Sequence, residues 1–203
     1  MKIKQVLAAA ALSVAAQSAS AFLVIGDSVS ATKYSWPQVM REQYGSWIRS
    51  DVQSMRALTS YDYPDDLMAI DGHADLAVLA LGFNDGTYAS VGLITPEDYR
   101  VALGKTVNKL HSGTYGFKRV MIVIPPDTPA STEHHDATRF QAQLMCAIWD
   151  YYNVDWIRCV DFNEIGYYDN TSDTVHPTRA FSEEMAAFMY NEIEQFKAET
   201  PDL

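Results

Sequence analysis

Short apolar runs, each closed by glycine or proline, alternate along this chain with stretches of helical spacing. Phe22-Leu23-Val24-Ile25 stops at Gly26-Asp27 and reads as a buried strand. Trp36 to Tyr44 reads as a helix, with Pro37 in the first turn, where a missing N–H has no partner to lose. Trp47 to Met55 is read as a strand. Leu76 to Leu81 is an unbroken apolar strand ended by Gly82. In Thr95-Pro96-Glu97-Asp98, Thr95 caps a helix, Pro96 starts it and Asp98 fills the acidic capping-box position; the helix runs to about Leu110, with Gly113 beyond. Val120 to Ile124 is a further strand, broken by Pro125-Pro126. A helix over Ala137 to Tyr152 and a strand over Val154 to Val160 follow. An irregular segment carries Tyr167 to Pro177, and a last helix runs from Thr178 to about Lys197.

Strands that are apolar on both sides, separated by helices, predict a mainly parallel sheet covered on both faces. With 203 residues, 48% of them hydrophobic, the chain has enough apolar surface for one such core. It shows no internal repeat and no linker composition. Residues 22–203 are therefore expected to form a single α/β domain. The first 21 residues read differently: Lys2 and Lys4 form a basic start, Val6 to Ala16 is small and apolar, and Ala19-Ser20-Ala21 is an A-x-A cleavage site. That apolar run is too short to span a bilayer. The expectation is a signal peptide over 1–21 and export to the periplasm or beyond, without stable membrane insertion.

Removing Lys2 and Lys4 takes the formal charge from −11 to −13. So acidic a surface repels phosphate backbones and anionic lipid headgroups, which argues against a nucleic-acid partner. Export permits a disulfide between Cys146 and Cys159, worth about 3 kcal/mol for a loop of this size. Either cysteine could equally be a small buried apolar side chain.

Open α/β sheets place their sites at the C-terminal ends of parallel strands. Gly26-Asp27-Ser28 follows the first strand, and Gly82-Phe83-Asn84-Asp85 follows the strand ending at Leu81. Asp173-Thr174-Val175-His176-Pro177 precedes the last helix. A hydroxyl nucleophile needs a base, and the base needs an orienting carboxylate; Ser28, His176 and Asp173 are residues of those types.

Gly-Asp-Ser, then Gly-x-Asn-Asp, then Asp-x-x-His, in this order, resembles the SGNH (GDSL-type) hydrolases, esterases and lipases, over essentially all of residues 22–203. The resemblance implies a three-layer α/β/α sandwich with a flavodoxin-like sheet. It implies Ser28 as nucleophile, His176 as general base and acid, and Asp173 as the carboxylate behind it. The N–H of Ser28 and the side chain of Asn84 would be oxyanion donors. Asp27 and Asp85 would organise their loops, beside Gly26 and Gly82. The family has a third donor, a glycine N–H after the second strand; Ser54 to Thr59 holds no glycine, and the N–H of Arg56 or Ala57 would have to serve. The segment after His176-Pro177 also lacks the usual glycine and has Arg179-Ala180-Phe181.

The implied activity is hydrolysis of a short-acyl carboxylic ester through an acyl-enzyme on Ser28. The substrate would be a small molecule, glycan or lipid ester, with no cofactor and no metal. Carbohydrate O-deacetylation, lysophospholipase or thioesterase activity, and a silent binding domain on the same fold are the alternatives. Gly-x-Ser-x-Gly, the α/β-hydrolase elbow, is not met, since Ser30 stands where the second glycine belongs. Glu133-His134-His135-Asp136 reads as a solvated helix start rather than a metal site, because adjacent helical side chains diverge. His73 and His111 are expected on the surface. Trp149, Tyr151, Tyr152 and Trp156 are read as packing rather than a carbohydrate platform; Tyr167-Tyr168, close to the Asp173–His176 loop, is the better candidate for a substrate wall.

Overall fold

A computed structural model describes residues 21–60, 75–112 and 115–203. Five parallel strands form one sheet: β1 (Ala21–Gly26), β2 (Trp47–Val52), β3 (Leu76–Ala80), β4 (Arg119–Val123) and β5 (Ile157–Val160), in the order β2-β1-β3-β4-β5. The helices are α1 (Ser28–Ala31), α2 (Trp36–Tyr44), α3 (Phe83–Ser90), α4 (Pro96–Ser112), α5 (Glu133–Tyr151) and α6 (Arg179–Glu199). Two 3-10 turns, Phe162–Ile165 and Tyr167–Asp169, follow β5.

Alternation along β1 divides the core in two. Phe22 and Val24 pack with Trp36 and Met40 of α2 and with Met185, Met189 and Phe196 of α6. Leu23 and Ile25 face the other way, onto Tyr99, Leu103 and Val107 of α4 and Ala142 of α5. Both faces of every central strand are thus covered, and burying each such large side chain contributes about 1.5–3 kcal/mol. This is the three-layer α/β/α sandwich. Strand order reverses between β1 and β3, so the crevice of a doubly wound sheet opens where those two strands end.

Several boundaries differ from the sequence reading. Residues 83–90, where Asn84-Asp85-Gly86 has the composition of a turn, form α3, and Asn84 and Asp85 are held by tertiary hydrogen bonds. Helix α5 begins at Glu133, four residues early, because Thr132 and His135 cap it reciprocally. Strand β2 ends at Val52 rather than Met55. Strand β5 begins only at Ile157, since Asn153 takes a left-handed turn and the Val154 N–H closes onto Trp149 O. Residues 1–20 of the expected signal segment, His73 and the loop from Tyr61 to Asp71 lie outside the described residues; Ala21 opens β1. Among the described residues no helix is long and apolar enough to cross a membrane.

Cys146 of α5 and Cys159 of β5 are disulfide-bonded, with Cα atoms 6.0 Å apart. Trp149 and Trp156 pack against the core, but Tyr151 and Tyr152 are exposed at the end of α5, where no layer covers them. His111 is half-buried rather than free on the surface, its ring stacked 3.8 Å from that of Trp156.

Candidate active site

Ser28 opens α1 directly after β1. Asp27 caps that turn, its Oδ1 accepting the Val29 N–H at 3.0 Å. The Ser28 hydroxyl is half-buried and lies 2.9 Å from His176 Nε2. On the other side of the ring, Nδ1 lies 2.8 Å from Asp173 Oδ2. A carboxylate only accepts, so Nδ1 carries the ring hydrogen and Nε2 presents a lone pair to the serine hydroxyl.

The Asp173–His176 turn is self-bracing. Asp173 Oδ1 accepts the backbone N–H groups of His176, at 2.7 Å, and Val175, at 3.2 Å. The His176 N–H, then its ring, hold the Asp173 carboxyl down to about 2. Thr174 sits at φ 71°, a conformation that costs a β-branched residue about 1–3 kcal/mol. The surroundings hold it there: Ala130 N–H donates to Thr174 O, Ser172 N–H to His176 O, and the Tyr167 hydroxyl to Val175 O. Tyr167 is fully buried, and burial pushes its hydroxyl well above the usual tyrosine range. It is therefore a strut beneath the turn and not a substrate wall; Tyr168 is the exposed member of the pair.

Asn84 and Asp85 project from the first turn of α3. Gly82, just before it, takes φ 135°, and a Cβ there would meet Pro125 Cγ at 2.4 Å. Asn84 Nδ2 donates to Arg56 O at 3.0 Å and lies 3.5 Å from Asp27 Oδ2, between the loops that follow β1 and β2. Asp85 is fully buried and accepts the Leu58 N–H at 2.7 Å, the Thr59 N–H at 2.9 Å and the Thr59 hydroxyl at 2.8 Å. Burial nonetheless pushes its carboxyl above the ordinary range. It organises the second loop, but from a helix rather than from a loop of its own.

Those bonds bear on the choice between Arg56 and Ala57 as the candidate donor. The Arg56 N–H closes a turn onto Gln53 O, and Leu58 and Thr59 give theirs to Asp85. Ala57 is fully buried, and among the described residues its N–H and that of Ser28 have no acceptor. Buried N–H groups without partners are rare. The Ser28 and Ala57 N–H groups and the Asn84 amide sit on the three segments that follow β1, β2 and β3.

Asp27 is 3% exposed, and burial pushes its carboxyl up to about 7; the Val29 N–H and the His176 ring pull the other way, while Asp85 adds to the rise. Sequence reasoning missed His135. It is buried rather than solvated, because its ring lies against Phe83 and both its nitrogens are bonded within the fold. The available signal was Thr132-x-x-His135, a capping box with histidine in the usual Glu or Gln place. Among the described residues there is no cluster of three metal-ligating side chains.

Two hollows adjoin the site. A polar one of about 350 Å³ lies against the 56–59 loop, lined by Gln53, Ser54, Met55, Arg56, Ser60 and Tyr88. A small apolar one of about 20 Å³ lies under the serine turn, walled by Val29, Leu81, Phe83, Pro125 and Phe162. A further hollow, of about 590 Å³, is at the other end of β5 beside the disulfide, away from these residues.

No protein-family model matches the chain, and no curated protein matches it in sequence. Solved structures do match. A member of the lipolytic protein G-D-S-L family from Veillonella parvula superposes with a TM-score of 0.66 at 15% identity, covering 84% of this chain and 96% of that one. This is the SGNH hydrolase fold. An acetyl xylan esterase, AlAXEase, shares it at a TM-score of 0.62 and 14% identity, over 85% of this chain and 99% of the other. So does a family two carbohydrate esterase from Clostridium thermocellum, solved with cellohexaose, at 0.64 and 14%, over 88% of this chain and 65% of that one.

Proposed function

We propose that this chain is an exported serine esterase of the SGNH family that hydrolyses short-acyl carboxylic esters. The observation that carries the reading is the continuous relay from Ser28 through His176 to Asp173, at 2.9 and 2.8 Å. Ser28 Oγ attacks the ester carbonyl carbon while its proton passes to His176 Nε2. The carbonyl oxygen, now negative, accepts from the Ser28 and Ala57 N–H groups and from Asn84 Nδ2. Collapse of the tetrahedral species expels the alcohol, which takes the proton back from Nε2. Water then repeats the sequence on the acyl-serine. Asp173 keeps the ring in the required tautomer and offsets the charge of the imidazolium.

The small apolar hollow under the serine turn is consistent with a short acyl group. The polar hollow, with Gln53, Ser54, Ser60 and Tyr88, supports a hydroxyl-bearing alcohol such as a sugar on the leaving side. Two of the structural neighbours are carbohydrate or acetyl xylan esterases, which is consistent with an O-deacetylase. A silent binding domain on this fold fits less well, because the Ala57 N–H, without an acceptor among the described residues, could stand in for the missing glycine.

A fluorophosphonate should label the protein at Ser28, and a p-nitrophenyl ester series should favour acetate. Ser28→Ala should remove at least about 10⁴-fold of kcat with the fold intact. Label on any other serine, or undiminished turnover in that variant, would refute the assignment.

A further inference from the structure

Asn84 and Asp85 lie in the first turn of α3, and the side chain packed onto that turn from α5 is His135. A Cβ on Gly86 would meet His135 Cδ2 at 2.7 Å and its Cα at 2.8 Å, so the bare glycine is what admits the imidazole. The ring centre is 4.5 Å from that of Phe83, and Nε2 is 3.2 Å from Thr87 Oγ1. His135 thus touches residues 83, 86 and 87, which bracket the two functional side chains. Its other nitrogen is fixed by the cap of α5: the Thr132 N–H, which only donates, lies 3.1 Å from Nδ1, and Thr132 Oγ1 lies 2.9 Å from it. Nδ1 must therefore hold the lone pair and Nε2 the hydrogen, which Thr87 Oγ1 accepts.

We propose that His135 is a positioning residue for the oxyanion donor: its neutral Nε2–H imidazole locks α3 to α5, and protonation of Nδ1 releases the helix that carries Asn84 and Asp85. The proposal rests on the esterase reading of that site. A hydrogen on Nδ1 would face the Thr132 N–H donor to donor, opening the cap of α5 and with it the seat of α3. The same segment donates the Ala130 N–H to Thr174 O, so the His176 turn would feel the release as well.

Charged groups around the ring are few. On α5 they are Asp136 and His134, with Glu133 set against His134 at 3.8 Å. The one charged residue of α3, Asp85, is turned to the 58–59 backbone; on α4, Glu97 and Arg100 pair with each other; Thr128–Thr132 carries none. Burial holds the imidazole below the ordinary histidine range, with Asp136 opposing and His134 assisting. The lock is therefore closed at neutral pH and opens only in acid. Protons taken up by the unfolded chain first make this group's contribution to stability full above the usual histidine range and lost as pH falls through the folded value.

The test has two arms, both on the full-length protein. In the first, ¹H–¹⁵N correlation of the imidazole nitrogens should show Nδ1 unprotonated near neutrality, and the Asn84 side-chain amide resonance should move in step with the acid titration of His135. In the second, kcat and KM for p-nitrophenyl acetate are followed against pH. His135→Asn keeps an amide oxygen where Nδ1 stood but does not titrate. It should lower kcat about tenfold, a fraction of what loss of an oxyanion donor costs, with KM within about twofold. In acid the wild-type log kcat should fall more steeply than one proton while the lock opens, and in His135→Asn that extra steepness should disappear. Thr87→Val should lower kcat similarly and Thr87→Ser should restore it, so the lock stays testable if the His135 variant does not fold. A protonated Nδ1 at neutrality, or an unchanged acid slope in His135→Asn, would overturn the proposal. A wild-type chain without turnover would instead sink the esterase reading, and the spectral arm would still judge the lock.

Discussion

Replacing Asp27 by Asn should stabilise the protein at alkaline pH and give progressively less advantage in acid. Burial lifts the Asp27 carboxyl from an ordinary 3.8 to about 7, against the Val29 N–H and the His176 ring and with help from Asp85. Between those two values the folded chain holds a proton that the unfolded chain has released. Stability falls with rising pH wherever the native state is the one with the extra proton, so the penalty accumulates across that window and is complete above it. A displacement of about 3 units at 1.36 kcal/mol each amounts to about 4 kcal/mol. Asn keeps an acceptor for the Val29 N–H, 3.0 Å away in the wild type, and never ionises. The variant's advantage should therefore grow from near zero at about pH 4 to about 4 kcal/mol at about pH 9, or about 8–16 °C in unfolding midpoint for a domain of this size. Urea and thermal unfolding of both proteins at half-unit pH steps would measure it. A wild-type–variant difference that stays constant across the range would refute the claim that Asp27 is a buried carboxyl forced to ionise.

Asn84→Ala should lower kcat by about 10²–10³ with KM little changed, since the donor acts on charge that develops only in the transition state; steady-state kinetics on p-nitrophenyl acetate would show it. At position 57 the backbone is the functional group: Ala57→Pro removes the N–H and should resemble Asn84→Ala in kcat, whereas Ala57→Gly should stay within about threefold of wild type. The disulfide lies apart from the triad, so Cys146→Ser with Cys159→Ser should lower stability by about 3 kcal/mol, seen in the urea midpoint, and leave kcat unchanged.

The sheet, and the meeting of Ser28, His176 and Asp173, were legible because each left a local mark. Strands such as Leu76–Ala80 are apolar on both faces, and Ser28, Asn84 and His176 each sit at the edge of such a run or of a helix. Helix α3 was not legible, since Asn84-Asp85-Gly86 has turn chemistry. What makes it helical is remote: Asp85 bonded to the backbone of residues 58 and 59, and His135 seated on Gly86. The early start of α5 was hidden for a related reason, a histidine doing the work of a capping Glu or Gln. Which N–H groups of residues 56–59 are already bonded depends on Gln53 and Asp85, which no spacing encodes. Tyr167 looked like a wall because it stands close to the triad in sequence, yet its hydroxyl turns inward to Val175 O.

Acid and base share one tight turn at the entrance to α6, while the serine arrives from a strand end 148 residues away in sequence. Any slippage between the α6 layer and the sheet must therefore leave the carboxylate–imidazole pair intact and fall entirely on the hydroxyl–imidazole gap. Damage from distant substitutions should accordingly appear as slower acylation by an otherwise competent base, and a small nucleophile supplied from solution, needing no Ser28, would be insensitive to it.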